Sequence, residues 1–180
     1  MSSDAPTAET AAGTTILQAN PWDVMDGVKV GTTSTTTNAS SNTFINYLID
    51  RAPGFFDVVC YTGTGVNPTT ITHNLGASPE LIFVKSRSTG STDWAAWASS
   101  QSGKGAFLNT DDPFLSAYAR LGTTVSSTTF SLNSTLSIVN TSGSTYVAYL
   151  FASCPGVSKV FNFTGNGSSQ TINCGFTGGA

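Results

Sequence analysis

The sequence predicts an all-β protein, an antiparallel β-sandwich of jelly-roll-like type. Segments such as ELIFVKS, TTFSLNS and STYVAYLF alternate β-branched or aromatic residues with polar ones, as strands with one buried face do. Charged residues make up 9% of the chain, against about 25% in an average globular protein. Solubility therefore depends on Ser, Thr, Asn and Gly, which are common in strands and turns.

An internal repeat sets the predicted domain organisation. Residues 43–65 (TFINYLIDRAPGFFDVVCYTGTG) align without a gap with residues 145–167 (TYVAYLFASCPGVSKVFNFTGNG), at an offset of 102 residues. After a one-residue gap, residues 70–76 correspond to residues 171–177. This period exceeds the roughly 20–50 residues of a solenoid repeat. It favours tandem β-sandwich units of about 100 residues each.

The repeat predicts four segments along the chain. Residues 1–15 form a flexible leader, residues 16–54 an N-terminal attachment segment with the end of a preceding partial repeat, residues 55–154 a complete β-sandwich repeat, and residues 155–180 the start of a following, incomplete repeat. In the complete repeat, the strand ELIFVK follows the glycine-rich stretch. We therefore expect either that the natural chain continues or that another chain completes the last unit by strand exchange.

The strands of the complete repeat follow from the alternating pattern. FFDVVCY at 55–61 and ELIFVK at 80–85 predict strands, and TTFSLNS, TLSIVN and STYVAYLF predict further ones. The glycine pairs between them lack the lysine and third glycine of a phosphate loop, so they predict hairpin turns. These turn glycines are Gly63, Gly65, Gly165 and Gly167.

Two segments depart from simple alternation. In DWAAWA, Trp94 and Trp97 lie three residues apart, which favours a bulge or a short irregular strand. PFLSAYARL at 113–121 is the best candidate for one or two helical turns. Together with Tyr118, the tryptophans suggest either a sugar-stacking platform or, as we favour, part of the core.

Composition excludes several classes of function. The net charge is −3 with seven Lys and Arg residues, which argues against binding nucleic acid through phosphates. No apolar run reaches the roughly 18 residues of a membrane helix. Cys60, Cys154 and Cys174 are odd in number and widely spaced, so we expect buried free thiols rather than a disulfide framework or a zinc site.

Candidate chemical residues are few. His73 is the only histidine, and in the aligned copy its position holds Cys174, which favours a structural histidine over a catalytic base. Four carboxylates could bind calcium but show no EF-hand pattern, namely Asp57, Asp93, Asp111 and Asp112. For Asp111-Asp112-Pro113 we favour the start of a turn or the cap of a short helix. The Asn-x-Ser/Thr triplets at Asn133 and Asn140 are expected from composition alone. We therefore predict no catalytic residues, no metal site and no cofactor.

The stretch TITHNLGASPELIFVK at 70–85 resembles a pattern of phage tail-fibre and related virion structural proteins. RAPGFFDVVCYTGTG, SGSTYVAYLFASCPGVSKV and TGNGSSQTINCGFTGGA also resemble a repeated β domain of these proteins, common in marine and environmental phages. The similarity covers residues 20–180. It implies that the H-N-L-G-x-x-P motif forms a structural turn, whose residues are His73, Asn74, Leu75, Gly76 and Pro79.

The resemblance implies a non-enzymatic virion protein on the phage particle surface. The first hypothesis is a tail-fibre or tail-appendage component that binds other virion proteins, forms a homo-oligomer, preferably a trimer, and contacts a host surface glycan or receptor. The alternatives are a capsid decoration or head-fibre protein and, ranked last, a polysaccharide depolymerase. A candidate docking segment contains the apolar residues Ile16, Leu17, Trp22, Val24 and Met25.

Overall fold

In a computed structural model of the chain, the structure describes residue 30 and residues 38–45, 47–101 and 103–175. The flexible leader and the candidate docking segment predicted from the sequence lie outside the described residues. The chain divides into two compact units, and the described residues from Asp50 onward all belong to one of them. The described residues up to Ile49 belong to the other.

In the described part of the larger unit, short strands and two single 3-10 turns form the regular structure. The strands are β1 Phe56–Thr62, β2 Thr69–Thr72, β3 Leu81–Ser86, β4 Ala95–Ala98, β5 Ala106–Phe107, β6 Leu121–Val125, β7 Thr129–Leu132 and β8 Thr145–Phe151. The 3-10 turns are Ser99–Gln101 and Ser116–Tyr118. Across the described ranges, no helix is long and apolar enough to span a membrane.

The strands form two antiparallel sheets, which confirms the all-β sandwich. One sheet has the order β1-β8-β3-β4-β5 and the other has the order β2-β7-β6. The chain alternates between the sheets through β1, β2 and β3, and again from β7 to β8, as in a jelly roll. It departs from that pattern where β4 and β5 simply extend the larger sheet beyond β3.

The core lies between the two sheets and is built from the inward residues of both. The larger sheet contributes Ile82, Trp97 and Tyr146, and the smaller sheet contributes Phe130 and Leu132. Both tryptophans of DWAAWA are buried, in agreement with the predicted core role. All four residues of β4 are buried as well, so both faces of this strand are covered. This explains why the DWAAWA segment lacks an alternating pattern.

Of the one or two helical turns predicted at 113–121, the structure contains a single 3-10 turn, because backbone pairing with Gly105 holds the residue before it in an extended conformation. Leu115 exchanges two backbone hydrogen bonds with Gly105, at 2.8 and 3.0 Å, which holds it in an extended conformation. Only the single turn Ser116–Tyr118 follows. Leu121 then pairs with Leu132 as the first residue of β6.

The strand predicted for TLSIVN at 135–140 is wrong. The N–H groups of Val139 and Asn140 both donate to the Leu136 carbonyl, at 3.1 and 2.9 Å, and so close a turn. The turn is held by contacts to β1, since the Tyr61 hydroxyl donates to the Val139 carbonyl at 2.8 Å. The prediction of free thiols is confirmed, but their predicted burial is wrong because Cys60 is exposed and Cys154 and Cys174 are half-buried.

Gly63 lies at a sheet crossing and not in a hairpin, because β1 and β2 belong to different sheets. Its N–H donates to the Ser144 carbonyl at 2.8 Å, and its carbonyl accepts from Gly143 N–H at 3.0 Å. A Cβ atom at Gly63 would overlap the backbone carbonyl of Thr141. The position therefore requires glycine for close backbone approach.

Replacing Gly63 with alanine is expected to lower the free energy of unfolding by about 1–3 kcal/mol, because the new methyl group must displace backbone. Gly165 is the matched control: it occupies the aligned position in the repeat, and a Cβ there meets no atom within 4 Å. Gly165→Ala should change the free energy by less than about 0.5 kcal/mol. Urea unfolding measures both, and equal losses in the two variants would contradict the packing described for Gly63.

Candidate functional site

The H-N-L-G-x-x-P motif connects β2 of the smaller sheet with β3 of the larger sheet. Leu75 is fully buried and belongs to the core, and Pro79 is also among the fully buried side chains. Gly76 has a φ of 73°, a conformation that favours glycine. The motif thus carries the chain from one layer of the sandwich to the other and anchors the crossing in the core.

His73 uses its ring within this turn. Its Nδ1 accepts a hydrogen bond from the Leu75 N–H at 3.2 Å, and the backbone N–H of His73 donates to the Thr128 carbonyl at 2.8 Å. The side chain is only 5% exposed. Burial lowers the pKa of His73, against smaller opposing effects of the Ser126 and Thr129 backbone and of Asp57. The neutral imidazole is therefore favoured, with one nitrogen occupied by a structural hydrogen bond.

Asp57 joins the motif to β1. Its buried carboxylate accepts from Arg51 Nε at 2.6 Å, from Val58 N–H at 2.9 Å and from Asn74 N–H at 2.8 Å. Burial by itself raises the pKa of this carboxyl group, but the hydrogen bonds from Asn74, Arg51 and Val58 outweigh it and the pKa is lowered. Sequence reasoning considered Asp57 only as a cation ligand, although an acidic residue inside an apolar strand signals a buried anchor.

The turn that precedes β1 is also hydrogen-bonded to the H-N-L-G-x-x-P motif. Gly54, with a φ of 75°, donates its N–H to the Leu75 carbonyl at 2.6 Å. A surface pocket of about 190 Å³ lies here, lined by Arg51, Ala52, Pro53, Phe56, Asp57 and Asn74. The carboxylate in this pocket is already bonded to Arg51 and to two backbone N–H groups. The residues that line the pocket therefore connect elements of the fold, and the pocket offers no free carboxylate for chemistry.

The other candidate residues are dispersed. Asp93 accepts from Asn109 Nδ2 at 2.9 Å, and Asp112 accepts from the Tyr118 hydroxyl at 3.2 Å. This hydrogen bond raises the pKa of Tyr118. Within the described ranges, no group of three or more His, Cys, Asp or Glu side chains is arranged to hold a metal ion. Tyr118 packs on Phe107 with ring centroids 4.5 Å apart and does not join the buried tryptophans in a sugar platform.

The sequence analysis did not predict the structural roles of two buried polar residues, Lys85 and Asn140. Lys85 is 0% exposed, and its Nζ donates to the carbonyl and the hydroxyl of Thr92 at 2.7 and 3.1 Å. Burial lowers the pKa of Lys85, with Asp93 opposing the shift. Asn140 is also fully buried, and it accepts from Thr64 N–H at 2.9 Å and donates to the Val66 carbonyl at 2.7 Å. Asn140 thus fixes the loop that contains Gly63 and Gly65.

The exposed surface carries two apolar segments. The N-terminal apolar segment comprises the described residues within 43–49, and the C-terminal apolar segment comprises residues 157–164. Neither contains a strand. Their most exposed apolar residues are Ile45, Tyr47, Leu48, Val157 and Phe163. Gly165 and Gly167 directly follow the second segment, and Gly167 has a φ of 71°.

Comparison with known proteins gives one match. Residues 28–178 match the family model described as Domain of unknown function (DUF7483). No curated protein and no solved structure matches the chain. The matched range contains the sandwich, the H-N-L-G-x-x-P motif and both apolar segments. All the features described above therefore lie within the match to the family model.

Replacing His73 with asparagine should flatten the pH dependence of stability between about pH 7 and pH 5. His73 is the only histidine of the chain. In the unfolded chain it takes up a proton near its ordinary pKa of 6.5, whereas the folded state resists protonation. The free energy of unfolding of the wild type should therefore fall as the pH drops below this value, by at most about 1.4 kcal/mol per pH unit.

Asparagine keeps an acceptor near the Nδ1 position and does not titrate, so the variant should lack this slope. Urea unfolding at several pH values measures the slope in both proteins. The comparison concerns slopes, so a constant loss of stability from the smaller side chain does not affect it. Equal slopes in the wild type and His73→Asn would contradict the lowered pKa.

Proposed function

The chain belongs to the DUF7483 family, and from this premise we propose that it is a structural protein of a phage particle, a component of a tail fibre or tail appendage. The family description assigns no activity, so the proposal depends on this chain's own residues. The observation that carries it is the segment TITHNLGASPELIFVK at 70–85. This segment resembles virion proteins and here forms the buried crossing between the two sheets.

The use of the polar side chains supports a scaffold role. His73 and Asp57 take part in structural hydrogen bonds of the sheet crossing. Lys85 and Asn140 are fully buried and bond to backbone carbonyl groups. Hydrogen bonds between buried side chains and the backbone rigidify a fold and specify one arrangement of its loops. A rigid, closely tied sandwich is what a module that projects from a particle requires.

The proposed partners follow from the surface. With 9% charged residues, the protein offers little electrostatic attraction, so contacts to a host surface glycan or receptor would use uncharged polar and aromatic groups. Other virion proteins would hold the chain on the particle surface, and a trimer would close the interfaces around a symmetry axis. Ile16, Leu17, Trp22, Val24 and Met25 remain the proposed docking residues for attachment.

A polysaccharide depolymerase receives less support from the same residues. Glycoside hydrolysis usually requires two carboxyl groups that flank the scissile bond at roughly 5–10 Å. Asp57 is buried at the sheet crossing that it anchors. Asp93 and Asp112 each accept a hydrogen bond from a neighbouring side chain. Release of sugar from purified host glycans by the wild-type protein would reverse this ranking.

Location in the particle tests the proposal directly. An antibody raised against residues 55–154 should label purified particles of the phage that encodes the protein, and it should bind to the tail or its appendages. Labelling of the head would instead support the capsid decoration or head-fibre alternative. If the protein were present in lysates but missing from purified particles, the virion proposal would be wrong.

A further inference from the structure

The two apolar segments expose side chains that are larger and more hydrophobic than a solvated loop requires. Isolated exposed apolar residues are normal, but contiguous ones mark interaction surfaces or unpaired strands. The exposed fractions in the N-terminal segment are Ile45 79%, Tyr47 86%, Leu48 67% and Ile49 49%. In the C-terminal segment they are Val157 57%, Phe161 41% and Phe163 64%.

The repeat assigns each segment a counterpart that is a strand. The N-terminal apolar segment, TFINYLI, aligns with β8, TYVAYLF. Residues 158–164, SKVFNFT, align with β1, FDVVCYT. Aligned positions differ in solvent exposure: Leu150 in β8 is 0% exposed, whereas the aligned Leu48 is 67% exposed. Similar side chains are thus buried in β8 and exposed in the segment that aligns with it.

The turn before β1 recurs before residues 158–164. In the first turn, Ala52 donates to the Phe56 carbonyl at 2.9 Å and Phe56 donates to the Ala52 carbonyl at 3.1 Å. In the second, Cys154 and Ser158 exchange the same two bonds at 3.0 and 2.9 Å. The glycine within each turn has a φ of 75°. The same backbone turn therefore precedes both β1 and residues 158–164.

The turn before β8 recurs before the N-terminal apolar segment. Ser144 donates its N–H to the Thr141 carbonyl at 3.1 Å, and Asn42 donates to the Ala39 carbonyl at 3.3 Å. Gly143, within the first turn, has a φ of 79°, and the aligned Ser41 has a φ of 67°. A serine rarely adopts this conformation. Its presence at the position aligned with a turn glycine supports the equivalence of the two segments.

We propose that residues 43–49 of one copy pair as an antiparallel strand with residues 158–164 of a second copy, in the register of β8 on β1. In β1 and β8, Phe56 is opposite Phe151 and Tyr61 is opposite Tyr146. The same register places Ser158 opposite Ile49 and Phe163 opposite Phe44. Phe163 and Phe44 would then take the places of Tyr61 and Tyr146, whose rings stack 5.2 Å apart.

The contact is heterologous, because each copy supplies a different segment to each neighbour. Such a contact generates an open chain of copies or, if the rotation closes, a ring. The pairing adds backbone hydrogen bonds and buries the exposed apolar side chains, as strand addition does in other assemblies. The inference depends only on the segments and their register, and it does not depend on the location of the protein in a phage particle.

Mixed disulfide formation between two single-cysteine proteins tests the register. With Cys60, Cys154 and Cys174 replaced by serine, one protein carries Ile45→Cys and the other carries Asn162→Cys. These positions correspond to the facing pair Val147 and Cys60. Facing residues of antiparallel strands lie about 4.5–5.5 Å apart at Cα, within the range of a disulfide. Mild oxidation should give a heterodimer as the main product.

The matched control replaces Asn162→Cys by Lys159→Cys, which is also exposed but lies three residues out of register. This protein should give many-fold less heterodimer with Ile45→Cys. Equal yields from the two mixtures would overturn the proposed register. So would a double variant, Ile45→Cys with Asn162→Cys, that forms only a disulfide within a single chain at every concentration.

Assembly of the protein with its native cysteines provides a second measurement. In sedimentation experiments the average mass of the wild type should rise with concentration. Phe163→Asp should abolish this rise without changing the melting temperature. Val66→Asp is the control, because Val66 is 60% exposed and lies outside both segments, so its mass should rise like that of the wild type. A monomeric wild type at all concentrations, or equal behaviour of the two variants, would overturn the proposal.

Discussion

The pairing of β1 with β8 places the first and last strands of the unit side by side in the larger sheet. Seven residue pairs connect the two strands, from Phe56 opposite Phe151 to Thr62 opposite Thr145. β8 also pairs with β3, so it connects β1 to the remaining strands of the larger sheet. The chain enters and leaves the unit at the same end, where Ala152 donates to the Phe55 carbonyl at 3.0 Å.

A small number of buried polar groups secures the loops around this pair of strands. Asp57 fixes the crossing between β2 and β3 to β1, and Asn140 fixes the loop after β1 to the turn before β8. In a chain with few charges, these hydrogen bonds specify the arrangement of the loops, a role that surface ion pairs have in other proteins. Breaking one of them would leave a buried polar group unpaired, which is energetically costly. Among the described residues, no group of three or more His, Cys, Asp or Glu side chains is placed to hold a metal ion.

The alternating pattern predicted β3 and β8, because apolar and polar residues alternate along a strand that has one buried face. The segment at 113–121 contains only one 3-10 turn because Leu115 pairs with Gly105, a contact that no local pattern contains. Lys85 was missed for a similar reason: its partner is a backbone carbonyl. The motif at 73–79 could be found from its residues, and the position of Asp57 inside an apolar strand marks it as a buried anchor. Its partner could not be predicted, because the N–H of Asn74 is distant in sequence.

The central claim is that the β1–β8 pair is the unit of construction and that residues 43–49 and 158–164 are the two halves of another such pair. Hydrogen–deuterium exchange of the wild-type protein at increasing concentration tests it most directly. The account predicts that amides of β1 and β8 exchange slowly at every concentration, as core strands do. Amides of the two apolar segments should exchange rapidly in dilute protein and become protected together as copies associate. Rapid exchange of both segments at all concentrations would contradict the account.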